Sequence, residues 1–167
     1  MAKRVQLTQG FVALVDDEDY AAVVAAGPWQ LHRRDSRSTH YARRGVTKES
    51  GGRTTQSLHQ FLTGWAITDH INGDGLNNCR SNLREATHAE NMRNSRRRVD
   101  STSGFKGVSW ESYTSKWRAF ISIDGKRRFL GRFSDPEEAA RAFDAAAIEV
   151  HGPFARLNFP REGEAAA

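Results

Sequence analysis

The chain has one cysteine, Cys79, so it can form neither an internal disulfide nor a zinc site of paired cysteines. That fits a reducing compartment, and we expect a cytoplasmic protein. No apolar run approaches the ~18 residues a membrane span needs. The opening MAKRVQLTQG lacks the apolar core of a secretory signal, and no membrane association is expected. Hydrophobic residues make up 38% of the 167 positions, too few for one generous core but enough for compact modules. There is no acidic excess: 25 Lys and Arg against 20 Asp and Glu give a formal charge of +5. Arginine suits bidentate phosphate and guanine contacts, so an anionic partner is expected, with nucleic acid the leading choice. No obligatory protein partner is evident, and no internal repeat is visible.

What is present is organised in blocks. In residues 1–65, VQLT and FVALV read as strands, and Asp16 or Asp17 can cap a helix DEDYAAVVAA that Gly27-Pro28 ends. WQLH and HYARRGV read as further strands. TTQSLHQFLTG reads as a helix with Leu58, Phe61 and Leu62 on one face. From Arg80 to Arg93, the near-helical spacing of Leu83, Ala86, Ala89 and Met92 predicts helical turns and a helix. SRRRVDSTSG, residues 95–104, reads as a basic linker. Beyond it, FKGVSW, KWRAFISI and KRRFLGRF alternate as strands, with Asp124-Gly125 turning the last two into a hairpin. Ser134-Asp135-Pro136 opens a long Ala-rich helix, and the tail 161–167 is expected to be disordered. The expected class is α+β. A small mixed N-terminal region, 1–65, leads into a motif at 66–94. The basic linker then joins it to three antiparallel strands packed on one helix, 105–160.

The stretch TDHINGDGLNNCRSNLREATHAENMRN, 68–94, carries the chemistry. Hydrolysis of a phosphodiester needs an activated water and charge neutralisation on the phosphate and the leaving oxygen. A histidine can take the proton from water, and a divalent cation on oxygen ligands can neutralise charge. Asparagine can accept from an imidazole N–H or give its carbonyl oxygen to a metal. Asp69 and His70 are adjacent, and Asn82 and Asn91 follow them.

This pattern resembles the HNH nuclease motif in the variant whose last histidine is asparagine, in the phage and intron homing-endonuclease branch. The resemblance implies two strands and a helix clasping one metal ion, Mg²⁺ or Mn²⁺. It implies His70 as general base, Asn82 positioning it, and Asp69 with Asn91 binding the metal. His88 is a rival for the terminal ligand, three residues before Asn91. His59 is read as structural or as a phosphate neighbour. Arg93, Arg96, Arg97 and Arg98 read as a grip on the DNA backbone. If a phage encodes the chain, the host cytoplasm is its place of action.

Lys106-Gly107-Val108, Lys116-Trp117, Leu130-Gly131, the Glu-Glu-Ala-Ala helix start and the Leu-Asn-Phe-Pro end resemble the ethylene-response-factor (APETALA-type) DNA-binding domain, over 104–160. That domain lays a three-stranded sheet in the major groove. Period two places Trp117, Ala119 and Ile121 toward the helix and Phe143. It places Lys106, Arg118, Phe120 and Arg127 outward as DNA-contacting residues. Ser109, Glu111 and Ser122 stand where the plant domains carry arginine, so the plant target sequence does not transfer. The whole reads as a site-specific endonuclease of double-stranded DNA that nicks one strand per site. A non-catalytic DNA-binding regulator is the alternative, and RNA binding by the aromatic sheet a third reading.

Overall fold

The computed structural model describes residues 1–32, 39–95 and 101–160. The expected tail and Arg96, Arg97 and Arg98 of the linker lie outside them. The chain divides into two compact units, Met1–Thr87 and His88–Ala167.

In the first unit, strands β1 (Ala2–Gln6) and β2 (Val12–Asp16) form an antiparallel hairpin, followed by helix α1 (Asp17–Ala26). β3 (Gln30–His32), β4 (Tyr41–Thr47) and β5 (Arg53–Ser57) make a second antiparallel sheet in the order β3-β4-β5. Val5, Leu7, Ala13, Val15, Val23, Trp29, Ala42 and Leu58 are buried together as the core. The Trp29 indole N–H donates to the Val23 carbonyl at 2.9 Å, which satisfies the polar edge of a nearly fully buried ring.

Two sequence expectations change here. The helix expected over TTQSLHQFLTG is half strand: β5 takes Arg53–Ser57, and α2 begins only at Leu58 and runs to Thr63. Thr54 and Thr55 suit a pleated strand, and a hydrogen-bonded reversal from Lys48 to Gly52 folds them back onto β4. Helical turns were also expected around Leu83. Instead, a short 3-10 turn at Arg80–Asn82 leads into β7 (Leu83–Glu85), which pairs antiparallel with β6 (Thr68–His70), placing Leu83 opposite His70. Three-residue apolar spacing is compatible with a helix, but burial against a distant strand decided the outcome.

The second unit holds α3 (His88–Arg93), then β8 (Val108–Glu111), β9 (Lys116–Ile123), β10 (Lys126–Phe133) and α4 (Pro136–His151). The sheet is antiparallel in the order β10-β9-β8. Asp124 and Gly125 both have positive φ (49° and 77°), the conformation a tight two-residue hairpin needs. Asp135 caps α4 by accepting from the Glu137 N–H at 3.0 Å, and Pro136 occupies the first turn, where its missing donor costs nothing. Ala119 and Ile121 of β9 are buried against Ala139, Ala140, Phe143 and Ala147 of α4. A bulge between Phe129 and Gly131 shifts the alternation of β10, so Phe129 and Arg132 share the outer face with Arg127.

Candidate nuclease site and sheet face

Asp69 and His70 sit on β6, at 3% and 4% exposure. The loop after them, 71–79, is tied to the N-terminal hairpin rather than left to solvent. Leu14 of β2 donates its N–H to Leu76 O and accepts from Asn78 N, each at 2.8 Å. Asp16 Oδ2 accepts from Arg80 N at 2.7 Å, and Asp19 pairs with the Arg80 guanidinium through Nε (2.9 Å) and Nη2 (2.7 Å). Asp16 therefore occupies the N-cap position of α1 without capping it by its side chain. The acidic start of the helix serves as the anchor of the loop.

Within that loop the asparagines divide the work. Asn72 and Asn77 make local turns, accepting from Asp74 N (2.8 Å) and Cys79 N (3.3 Å). Asn82 braces the loop from outside: Oδ1 accepts from Asn72 N at 3.0 Å and Nδ2 donates to Asn77 O at 2.8 Å. Asn78, at 0% exposure, is the residue whose amide meets the His70 ring, with Oδ1 3.3 Å from His70 Nε2. Its Nδ2 donates to Leu76 O at 3.1 Å, which fixes the amide with its oxygen toward His70. The His70 tautomer assigned from this network carries its proton on Nε2 and its lone pair on Nδ1. The sequence reading missed Asn78, because three neighbouring asparagines look alike until burial separates them.

Burial drives the His70 pKa below its ordinary value, while the Asn78 hydrogen bond and the carboxylates of Asp69 and Asp74 pull the other way. The ring is thus held uncharged at neutral pH, the state a general base needs. Asp69 Oδ2 takes Arg84 Nε at 2.8 Å and Nη2 at 2.6 Å, so a buried carboxylate is partly balanced by a guanidinium from the paired strand. Tyr41 and His59 complete the surroundings, with ring centroids 5.6 Å and 5.0 Å from that of His70.

Asn91 and His88 lie on α3, exposed, in the second unit. Arg93, at the end of α3, pairs with Asp124 at 3.7 Å. Among the described residues no three His, Cys, Asp or Glu side chains gather into a metal cage. A hard divalent cation does not require one. Mg²⁺ commonly uses one or two carboxylates and completes its shell with water and phosphate oxygens, and the buried Asp69 carboxylate fits that style of ligation.

On the second unit's outer sheet face, Arg118, Phe120, Arg127, Phe129 and Arg132 share a surface. Arg127 lies over the Phe120 ring at 4.5 Å, so Phe120 is half-covered rather than bare. Glu111 holds two of the arginines: it accepts from Arg132 Nε at 2.5 Å and from Arg118 Nη1 at 3.5 Å. The bonds from Arg132 and from Thr114 hold its carboxyl down at about 2. Arg132 and Phe129 were not picked out from sequence, because the β10 bulge changes which residues face outward.

Lys106 departs from its expected outward position. Its Nζ donates to Arg93 O at 2.7 Å and Ser95 O at 2.8 Å, closing the end of α3, and burial pushes its ammonium down to about 8. The carbonyls after a short helix need donors, and this lysine supplies one.

Comparison with known proteins agrees with both parts. The HNH endonuclease family matches residues 64–93. The chain is 38% identical over 89 residues to Protein 3.8 of Escherichia phage T7, spanning 53% of this chain and 73% of that protein. It is 47% identical over 58 residues to the Ethylene-responsive transcription factor ERF010 of Arabidopsis thaliana, covering 34% of this chain and 31% of that one. It is 45% identical over 64 residues to the Dehydration-responsive element-binding protein 2A of the same plant, covering 37% of this chain and 19% of that protein. This chain thus spans less than a third of either plant factor. Among the described residues no helix is long and apolar enough to cross a membrane. The chain belongs to the HNH endonuclease family and carries after its HNH motif a segment of the ethylene-response-factor type.

Proposed function

We propose that the chain is a metal-dependent endonuclease of double-stranded DNA that nicks one strand per site. The observation that carries this reading is the buried, uncharged His70 beside Asp69, held in one tautomer by Asn78. His70 Nδ1 takes a proton from water as the water oxygen bonds to phosphorus and the bond to the 3′ oxygen breaks. The leaving oxygen acquires its proton from solvent. Asn82 keeps the loop, and with it Asn78, in register. Mg²⁺ or Mn²⁺, when bound, supplies neutralisation of charge on the phosphate and the departing oxygen. Asp69 and Asn91 are the residues proposed to hold it; Asn91 takes this role from the motif alone.

The purified chain with Mg²⁺ is expected to convert supercoiled plasmid to the open circle before any linear form appears. Plasmid that stays supercoiled with Mg²⁺ and with Mn²⁺, while duplex still binds, would favour the non-catalytic regulator.

The outer sheet face is proposed to hold the DNA, with Glu111 setting how firmly. Its carboxylate occupies two guanidinium groups that would otherwise meet phosphates. Glu111→Gln is expected to raise duplex affinity several-fold at low salt and to steepen the salt dependence by about one to two phosphate contacts, since each contact adds ~0.9 to the slope. Fluorescence anisotropy at two salt concentrations reads both effects. An unchanged slope would place Arg118 and Arg132 off the DNA.

A further inference from the structure

His59, the second residue of α2, belongs to no part of the mechanism above, yet it stands against the proposed base. Its ring centroid is 5.0 Å from that of His70, edge to face at 86°, and 5.6 Å from that of Tyr41. On the same face of β4 as Tyr41, Arg43 donates from Nε to Ser57 Oγ, one residue before α2, at 3.3 Å. The N-terminal sheet and α2 therefore deliver an aromatic ring and a second imidazole to the surroundings of His70, and a guanidinium to those of His59.

The His59 ring is half-buried, and its Nδ1 is enclosed with no hydrogen-bond partner among the described residues. A bare buried N–H is costlier than a bare lone pair, so the proton belongs on the other nitrogen, Nε2. Burial first, then the nearby His70 and Arg43, pushes the pKa down to about 3, so the ring carries no charge. The site thus contains a neutral N–H donor, with no partner for it among the described residues, beside the proposed base.

We infer that His59 is a further catalytic residue, whose Nε2–H donates to a non-bridging oxygen of the scissile phosphate. The inference rests on the nuclease reading of His70. A phosphodiester under attack gains negative charge on its non-bridging oxygens, and a fixed donor in a water-poor site stabilises that state more than the ground state. Being neutral, His59 adds little to ground-state attraction for DNA, so its effect falls on the rate at saturating DNA rather than on affinity. A purely structural role predicts something different, because packing against Tyr41 and His70 needs only a flat apolar ring.

The full chain and two variants separate these cases, with supercoiled plasmid and Mg²⁺ as the probe. His59→Phe keeps the ring and loses the donor. His59→Gln loses the ring and keeps a neutral N–H near the Nε2 position. His59→Phe is expected to lower the nicking rate on the order of 100-fold, the scale for removing one such donor, with plasmid affinity and melting temperature unchanged. His59→Gln is expected to recover at least about ten-fold of that loss. A His59→Phe variant that nicks at the wild-type rate overturns the assignment while leaving the nuclease reading intact. So does a His59→Gln variant slower than His59→Phe, because packing would then be what matters. A wild-type chain that fails to nick with either Mg²⁺ or Mn²⁺ overturns both.

Discussion

His70→Ala is expected to slow plasmid nicking by roughly 10²–10⁴-fold, the range that general-base catalysis contributes. Three features of the site point to a loss of this size. The imidazole is buried, and that burial lowers its pKa below the ordinary value and favours the uncharged, reactive form at neutral pH. Its tautomer is set by Asn78, so the lone pair is preorganised. The two titratable groups beside it are poor substitutes: Asp69 is engaged by Arg84, and His59 is too weak a base once its pKa lies near 3. Duplex affinity should be unchanged, since His70 offers no charge to phosphate. Single-turnover nicking at saturating DNA, read beside anisotropy, separates the two quantities. A His70→Ala protein that binds and nicks normally would remove His70 from the mechanism. Because the ring also packs on Tyr41 and His59, a melting curve of the variant is the necessary companion measurement.

The elements legible in the sequence were those written by local chemistry. α1 begins in an acidic run and ends at Gly27, as expected. The Asp124-Gly125 turn and the Asp135-Pro136 helix start lie where their residue types place them. What sequence could not supply was set by contacts far apart in the chain. β5 and β7 are strands because β4 and β6 pair with them, not because their own spacing demands it. Asp16 looked like a helix cap, and only a bond to Arg80, 64 positions away, shows it anchoring the loop instead. Lys106 looked like a surface cation until two carbonyls claimed it. At the site itself, the adjacency of Asp69 and His70 was visible directly. The neighbours on which the tautomer and surroundings of His70 depend, Asn78, Tyr41 and Arg84, come from three segments and carry no local signature.

Gly107→Ala is expected to be the most damaging small substitution in the second unit, and it tests that unit's fold and its DNA contribution together. Gly107 has φ +76°, which costs an L-residue about 1–2 kcal/mol. A Cβ there would also lie 2.1 Å from Phe143 Cδ2 and 2.8 Å from the Phe120 carbonyl oxygen. Phe143 is buried with Ile121, Ala146, Ala147 and Leu157, and overpacking against such a side chain costs typically 1–3 kcal/mol. The combined loss of ~2–5 kcal/mol is a large share of the ~4–12 kcal/mol that about 80 residues ordinarily hold. At ~4–8 °C per kcal/mol, the melting temperature of this unit should fall by at least about 8 °C. Gly104→Ala is the matched control: φ is +74°, but nothing lies within 4 Å of the added carbon, so only the backbone term applies. Melting both variants by circular dichroism isolates the clash. Duplex affinity, measured at a temperature between the two melting points, should then be lost in Gly107→Ala and kept in Gly104→Ala. Equal melting of the two variants would show that Phe143 is not seated under Gly107. Full affinity in a Gly107→Ala chain whose second unit has melted would move DNA recognition away from the three-stranded sheet.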